Sequence, residues 1–449
     1  MKKIRIGTGA GYSGDRIEPA VELIEKGNLD YIIFECLAER TIAIAQKEKL
    51  KDKTKGYNPF LEERMLKVLK IAKEKNVKII TNMGAANPKA AMLKTAEIAK
   101  QLGIRNLKIS AVYGDDISHN IDKYYDYEIL ENNKALKFLK DKIISSNVYM
   151  GCEGIVKALE ECADIIITGR VADPSLVMGP LLYEFGWKQN DRNKIGQAVL
   201  AGHLLECAGQ VTGGYFADPG YKEVPDLHLL GFPYIEIDEN ADFFITKVDG
   251  SGGIVSEQTC KEQLLYEIHN PHNYITPDAS ADFSKVQFKQ LEKNKVKAFG
   301  ASSHGKPDTL KVSVGYKDCF IGEGEISYGG TNAFNRAKLA ADIIEKRLKL
   351  IKAEIEEYRV DFIGYNSLFR DIISNKITDL KFPEIRLRVS ARTKDYKNAR
   401  LIGNELEALY TNGPAGGSGV RTYTEEVVSI CSIFIPKSEV KYIVDFMEV

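Results

Sequence analysis

Three groups of residues in this 449-residue chain have the types and spacings that chemistry needs. The first is Gly9-x-Gly11-x-x-Gly14, which follows an apolar strand-like run, with Glu35 standing 21 residues after Gly14. This matches the dinucleotide fingerprint, in which glycines let backbone amides approach a pyrophosphate and an acid binds the ribose. Two residues work against that reading. Asp15 puts a negative charge where the pyrophosphate would lie, and Pro19 inside the following helix removes a hydrogen bond or delays the helix start. The alternative is a tight turn framing an active site of another kind.

The second group lies at the ends of apolar runs: Glu35 and Glu39, Asn82, Asp115-Asp116, Glu153, Gly169-Arg170 and Asp173. Ligands bind beyond the carboxyl ends of strands in open parallel sheets, so these residues read as one crevice, although turns favour Asp, Asn and Gly for backbone reasons alone. Arg170 can clamp a carboxylate or phosphate with two hydrogen bonds. The third group is His203 and Glu206, three apart on a helical segment, with Gln210 one turn further. An imidazole beside a carboxylate is an acid-base pair, half of a metal site, or an ordinary local hydrogen bond. Asp115-Asp116-x-x-His119 is compatible with a divalent cation.

Positioning such residues requires a scaffold. The runs Lys3–Ile6, Asp30–Phe34, Val77–Thr81, Leu107–Val112, Asn147–Met150 and Asp164–Thr168 lack polar alternation, as strands buried on both faces do. Helical segments Glu62–Glu74, Pro88–Leu102 and Gly154–Glu161 separate them, and Asn87-Pro88 is a helix start signal. The expected fold is α/β: a mostly parallel sheet with helices on both faces, in Rossmann-like layering. From about Phe232 the strands alternate apolar and polar residues, as in Thr309–Tyr316 and Glu384–Val389, around helices near Asn332–Ile351 and Tyr396–Tyr410. We therefore expect an α/β domain over 1–230 carrying the polar cluster and an α+β domain over 231–449. Three glycine-rich stretches in the second half, Asp249–Gly253, Gly322–Gly330 and Asn412–Arg421, read as turns. The first is an anion-site candidate ahead of a helix, and the last a hairpin loop. Trp187, the only tryptophan, reads as packing.

Composition narrows the function classes. Lys plus Arg number 62 against 63 Asp plus Glu, so the cationic field that nucleic acid or a membrane surface requires is missing. No run approaches the ~20 apolar residues of a membrane span, and the N-terminus has no apolar signal-peptide core. The expectation is a cytoplasmic protein whose seven dispersed cysteines are free thiols.

Gly7–Asp15, Asp30–Glu39, Ile165–Asp173, Ala201–Glu206 with Gln210 and Gly213-Gly214, Gly322–Tyr328 and Leu409–Gly417 together resemble the acyclic terpene utilisation AtuA family. The resemblance runs from about residue 4 to 436, and Ile-Gly-Glu-Gly-Glu-Ile-Ser-Tyr and Tyr-Thr-Asn-Gly-Pro-Ala-Gly-Gly are its distinctive strings. That family is named for bacterial breakdown of citronellol and geraniol through coenzyme A esters. Longer members carry an additional small α+β domain. Since this chain ends at Val449, the resemblance implies a separate small subunit.

The resulting expectation is a homo-oligomeric enzyme acting on a small carboxylate or acyl-CoA, as a lyase or hydratase of a hydroxyacyl compound. His203, Glu206, Arg170 and Asp173 form the expected catalytic set. Gly9, Gly11, Gly14, Asp15, Glu35, Glu39, Asn82, Asp115, Glu153, Gly169 and Gln210 are expected to bind substrate. A coenzyme A ester as substrate or a divalent cation is the expected small partner. The competing readings are an NAD-dependent oxidoreductase using the Gly9–Gly14 loop and a non-catalytic acyl-binding or scaffold subunit.

Overall fold

The computed structural model describes residues 2–377 and 381–449. The chain is mixed α/β, and it divides into two compact units, residues 1–315 with 430–449, and residues 316–429.

The first unit is built on β1 (Lys3–Thr8), β2 (Tyr31–Phe34), β3 (Lys78–Thr81), β4 (Lys108–Tyr113), β5 (Ile143–Val148) and β6 (Ile165–Thr168). Its further strands are β7 (Pro233–Asp238), β8 (Phe243–Lys247), β9 (Tyr274–Ile275), β10 (Ser280–Asp282), β11 (Gln287–Glu292), β12 (Lys295–Phe299) and β13 (Ser302–Ser303). A ten-stranded mixed sheet has the order β11-β12-β8-β7-β1-β2-β3-β6-β4, closed by the C-terminal strand Ile443–Glu448. Within it β1, β2, β3, β6 and β4 are parallel. The helices are α1 (Glu18–Lys26), α2 (Glu39–Lys51), α3 (Leu61–Lys75), α4 (Pro88–Gln101), α5 (Glu153–Glu160), α6 (Ser175–Phe185), α7 (Arg192–Glu206) and α8 (Glu257–Leu265).

The apolar runs explain this core. β2 is buried at every residue, and alternate side chains of a strand face opposite ways. Ile32 and Phe34 join one core cluster with Leu23 of α1, Met65 of α3 and Ala96 of α4. Tyr31, pointing the other way, donates to Glu184 of α6. Asn87 caps α4, its side chain accepting from the Ala90 amide, with Pro88 in the first turn. α1 starts only at Glu18, which puts Pro19 in its first turn, where no hydrogen bond is lost.

The structure departs from the sequence reading at three places. Residues 143–148 form β5 outside the main sheet; β5 pairs with the strand that begins at Thr309, and the following Tyr149 amide donates to the Lys311 carbonyl. The expected boundary at 231 falls inside the first unit, because β7 pairs antiparallel with β1. The alternating pattern that begins there marks a change of strand direction within one sheet. Gly322–Gly329, read as a turn, is the end of a long strand, β14 (Thr309–Gly329).

The second unit pairs β14 with β15 (Glu357–Ile363), β16 (Glu384–Thr393) and β17 (Gly417–Pro436) in the order β15-β16-β14-β17. Helix α9 (Ala333–Leu350), the single turn α10 (Asp371–Ser374) and helix α11 (Tyr396–Asn412) complete it. Ile326, Leu387, Ile344 and Leu406 share its core. Glycine serves at 322 because α11 lies against the strand: a Cβ there would meet the Ala399 carbonyl. The other side of this sheet is charged, with Asp361 buried between Arg359 and Arg388.

Trp187 packs as expected, stacked on Phe185, its indole N–H donating to the Glu239 carbonyl. All seven cysteines are free, and five of them are buried. Among the described residues no helix is long and apolar enough to cross a membrane.

Candidate functional site

The segments at the carboxyl ends of β1, β2 and β6 and at the end of α7 line a cavity of about 1290 Å³ in the first unit. Glycine is required at one point of its wall. A Cβ on Gly11 would sit 2.5 Å from the Cys207 backbone carbon, which has no free rotation to escape. Gly11→Ala is therefore expected to cost about 1–3 kcal/mol through overpacking, measurable as a lower melting temperature.

Two amides of the glycine turn are already engaged, that of Gly9 by the Ile33 carbonyl and that of Gly11 by Asp15. Asp15 Oδ2 accepts from the Gly11 amide at 2.9 Å and Oδ1 from the Arg16 amide at 2.9 Å. The Asp15 side chain thus occupies the amide of the middle glycine of the turn.

Glu35 ends β2 on the cavity wall. Its Oε1 accepts from the Leu37 amide at 2.9 Å and from Asn82 Nδ2 at 3.0 Å, while Asn82 Oδ1 accepts from the Cys36 amide at 2.7 Å. Both bonds fall on Oε1, which leaves Oε2 for the cavity. Burial, reinforced by the Asp173 charge, pushes the Glu35 carboxyl up to about 8. At neutral pH it is an acid with a proton to donate.

Arg170 ends β6 and is buried, with its guanidinium 4.4 Å from the centroid of the Tyr149 ring. Nη1 donates to the Leu37 carbonyl at 2.6 Å and to Asp173 Oδ1 at 3.2 Å. The buried Nε has no partner. Tyr149 bonds Asp173 twice, its hydroxyl donating to Oδ2 and accepting from the Asp173 amide. Burial raises the Asp173 carboxyl above its ordinary value, opposed by Arg170. Glu39 pairs with Lys311; burial opposes its charge, but the ammonium holds its carboxyl below the ordinary range.

Arg170→Ala would strand Asp173 as a buried acid without its cation. We expect a loss of about 3–5 kcal/mol in chemical denaturation.

At the end of α7, Glu206 Oε1 lies 2.8 Å from His203 Nδ1. Its other oxygen, Oε2, is buried without a partner, on a residue that lines the cavity. Burial pushes this carboxyl up, against the pull of His203. His203 is fully buried behind it, off the cavity wall, with Nε2 3.2 Å from the Leu264 carbonyl.

Of the residues expected to form the site, Gly11, Asp15, Glu35, Glu39, Arg170, Asp173, Glu206 and Gln210 line this one cavity. The others lie behind it or away from it. Gly9 lies against the Phe34 ring and Gly14 against Tyr12. Asn82 holds Glu35. Asp115 accepts from Asn147 at 2.8 Å and from the Arg170 amide at 3.1 Å, closely packed against Gly169; burial pushes its carboxyl up to about 6. Glu153 pairs with Lys306 and Lys437. Asp116 turns to Gln46 and Lys49, and His119 is exposed. Among the described residues no three His, Cys, Asp or Glu side chains group to hold a metal ion. The glycine stretch at 249–253 is not at a helix start either; Ser256 caps α8, and Lys247 donates to Ser251 within the turn.

Three wall residues carried no sequence signal: Tyr149, Tyr274 and Lys311. Tyr149 follows β5, and the other two come from β9 and β14; none of these strands is in the parallel core. The lining also includes the exposed Tyr12 (61%) and Tyr215 (94%), together with Arg16 and Arg40.

The fold is mixed α/β, and the segments after its parallel strands bring acids and Arg170 to the wall of one cavity. The family model for acyclic terpene utilisation family protein AtuA matches residues 4–446, and the chain belongs to that family. No curated protein matches it.

Proposed function

We propose that this chain is an enzyme that removes or adds water at a hydroxyacyl compound, a hydratase-type lyase. One observation carries the reading: Glu35 and Glu206 both line one cavity, each with one oxygen anchored, under different anchors, and Glu206 Oε2 is buried without a partner. Glu35 is anchored by neutral amides and keeps its proton; Glu206 is anchored by an imidazole that stabilises its carboxylate. Burial raises both carboxyls, to about 8 for Glu35 and about 7 for Glu206, and the imidazole is what pulls Glu206 lower, so Glu35 is read as the acid and Glu206 as the base.

In the dehydration direction Glu206 Oε2 takes a proton from the carbon beside the carbonyl. The C–H electron pair forms the carbon–carbon double bond as the C–O bond breaks, and Glu35 Oε2 gives its proton to the departing hydroxyl, which leaves as water. Arg170, through its unpartnered Nε, holds the carbonyl or carboxylate oxygen on which charge builds. The cavity exceeds the roughly 300–1,000 Å³ of ordinary small-ligand sites, which favours an acyl thioester over a small free acid. Four strand-end acids converge on one cavity, which supports catalysis over a scaffold role. The Asp15 bond to the Gly11 amide counts against an NAD site.

The test is to incubate purified protein with a panel of 3-hydroxyacyl-CoA esters and free hydroxy acids, following formation of the unsaturated product. Turnover of one of them is expected. No turnover and no thermal stabilisation by any of them would remove the reading. With an active substrate in hand, Arg170→Lys is expected to raise KM at least about tenfold, since a lost charged hydrogen bond is worth ~1.5–3 kcal/mol.

A further inference from the structure

We propose that His203 is a positioning residue held permanently as an imidazolium, whose fixed proton arrangement keeps Glu206 ionised and leaves Oε2 as the only oxygen able to take a proton. This rests on reading Glu206 as the base, but its main test needs no substrate.

The argument starts at Nε2. Its partner is the Leu264 carbonyl, which can only accept, so Nε2 carries a hydrogen. A neutral ring would then have a bare Nδ1 facing Glu206 Oε1 at 2.8 Å. With the carboxylate ionised, two lone pairs would oppose each other in a buried place, so a proton must lie between them. The groups facing the ring decide where it stays. From its own helix comes the Glu206 carboxylate, from α8 the Leu264 carbonyl, and from β9 and the segment after β10 the rings of Tyr274 and Phe283 at 5.4 and 5.8 Å. Asp173 and Glu267 add negative charge near Glu206. None of these repels a cation. Burial opposes a charged imidazole, but Glu206 and the Leu264 carbonyl reverse the sign and raise its proton affinity above the ordinary value.

The test is a two-bond proton–nitrogen correlation spectrum of the full chain labelled with ¹⁵N-histidine. The chain has six histidines, and the other five are exposed. One resonance set, lost in His203→Gln, should keep both ring nitrogens protonated from about pH 5 to pH 8. In Glu206→Gln the same ring should become neutral, with Nδ1 bare. A bare Nδ1 at neutral pH in the unmodified protein, or loss of a ring proton between about pH 5 and pH 8, would overturn the proposal. If His203→Gln does not fold, the unmodified spectrum and Glu206→Gln still decide it. On an active substrate, His203→Gln should move the rising limb of the rate profile up by about one pH unit, as a lost neighbouring cation does, which a merely structural histidine would not. Absence of turnover in the unmodified protein would fail the enzymatic reading while the spectrum still reports on His203.

Discussion

Glu206→Gln should lower turnover by about 10²–10⁴-fold, the range a positioned general base contributes, with little change in KM and a retained fold. The fold survives because glutamine fills the same volume and its amide can donate to His203 Nδ1, replacing a buried ion pair by a neutral hydrogen bond. Steady-state kinetics with matched thermal melts would check both halves. A loss confined to KM would mean that Glu206 holds the substrate and transfers nothing. On an active substrate the unmodified protein should show a bell-shaped profile of kcat/KM near neutrality. Its falling limb reports deprotonation of Glu35, which burial has pushed up to about 8. Because Glu35, Asp173 and Glu206 lie in one wall, the limbs describe the cluster and not single residues.

Glu35→Gln should remove a pH dependence of stability while nearly abolishing turnover. The folded protein holds the Glu35 proton more tightly than the unfolded chain, so this group's contribution is fully present below its ordinary value of 4.5 and is lost as pH rises toward about 8. Carboxyls held low by partners, such as Glu39 and Glu236, are ionised in both states over that window and add no slope. Each pKa unit is worth ~1.4 kcal/mol, but water entering the cavity screens the open oxygen, and we expect about 1–3 kcal/mol. Denaturation at several pH values should therefore show the unmodified protein weakening from about pH 5 to pH 8 and the variant weakening less. Glutamine keeps the acceptor oxygen that Leu37 and Asn82 bond, so the wall is preserved. Parallel curves would show that Glu35 is ionised in the folded protein and would remove it as the acid.

Much of this site was legible because strand ends in a parallel sheet converge. Glu35, Arg170 and Asp173 could be placed together from their positions after β2 and β6, and the carboxylate beside the first glycine turn accepts from the Gly11 amide. The roles within the cluster were not legible. Nothing in the spacing of His203 and Glu206 says which of the two faces the cavity, since residues three apart share a helix face and only α8 and β9, packed over it, bury the imidazole and leave the carboxylate on the wall. Asp115 looked equivalent to Glu35 and is not: it turns inward to Asn147 and the Arg170 amide. Tyr149, Tyr274 and Lys311 come from strands outside the parallel core, where no rule about strand ends applies.

By itself the sequence determined the family, the parallel apolar strands and the loops that carry the acids, because burial on both faces and glycine turns leave direct marks in residue type. Only the tertiary structure decided which side chains share the cavity, where the units divide and which oxygens are free. Those depend on strands distant in the chain: β7 turning back along β1 erased the apparent boundary at 231, and Leu264, on a different helix, supplies the carbonyl that sets the proton on His203. Local patterns record what a residue's own element needs, whereas the charge state of a buried group is set by whatever the rest of the chain packs against it.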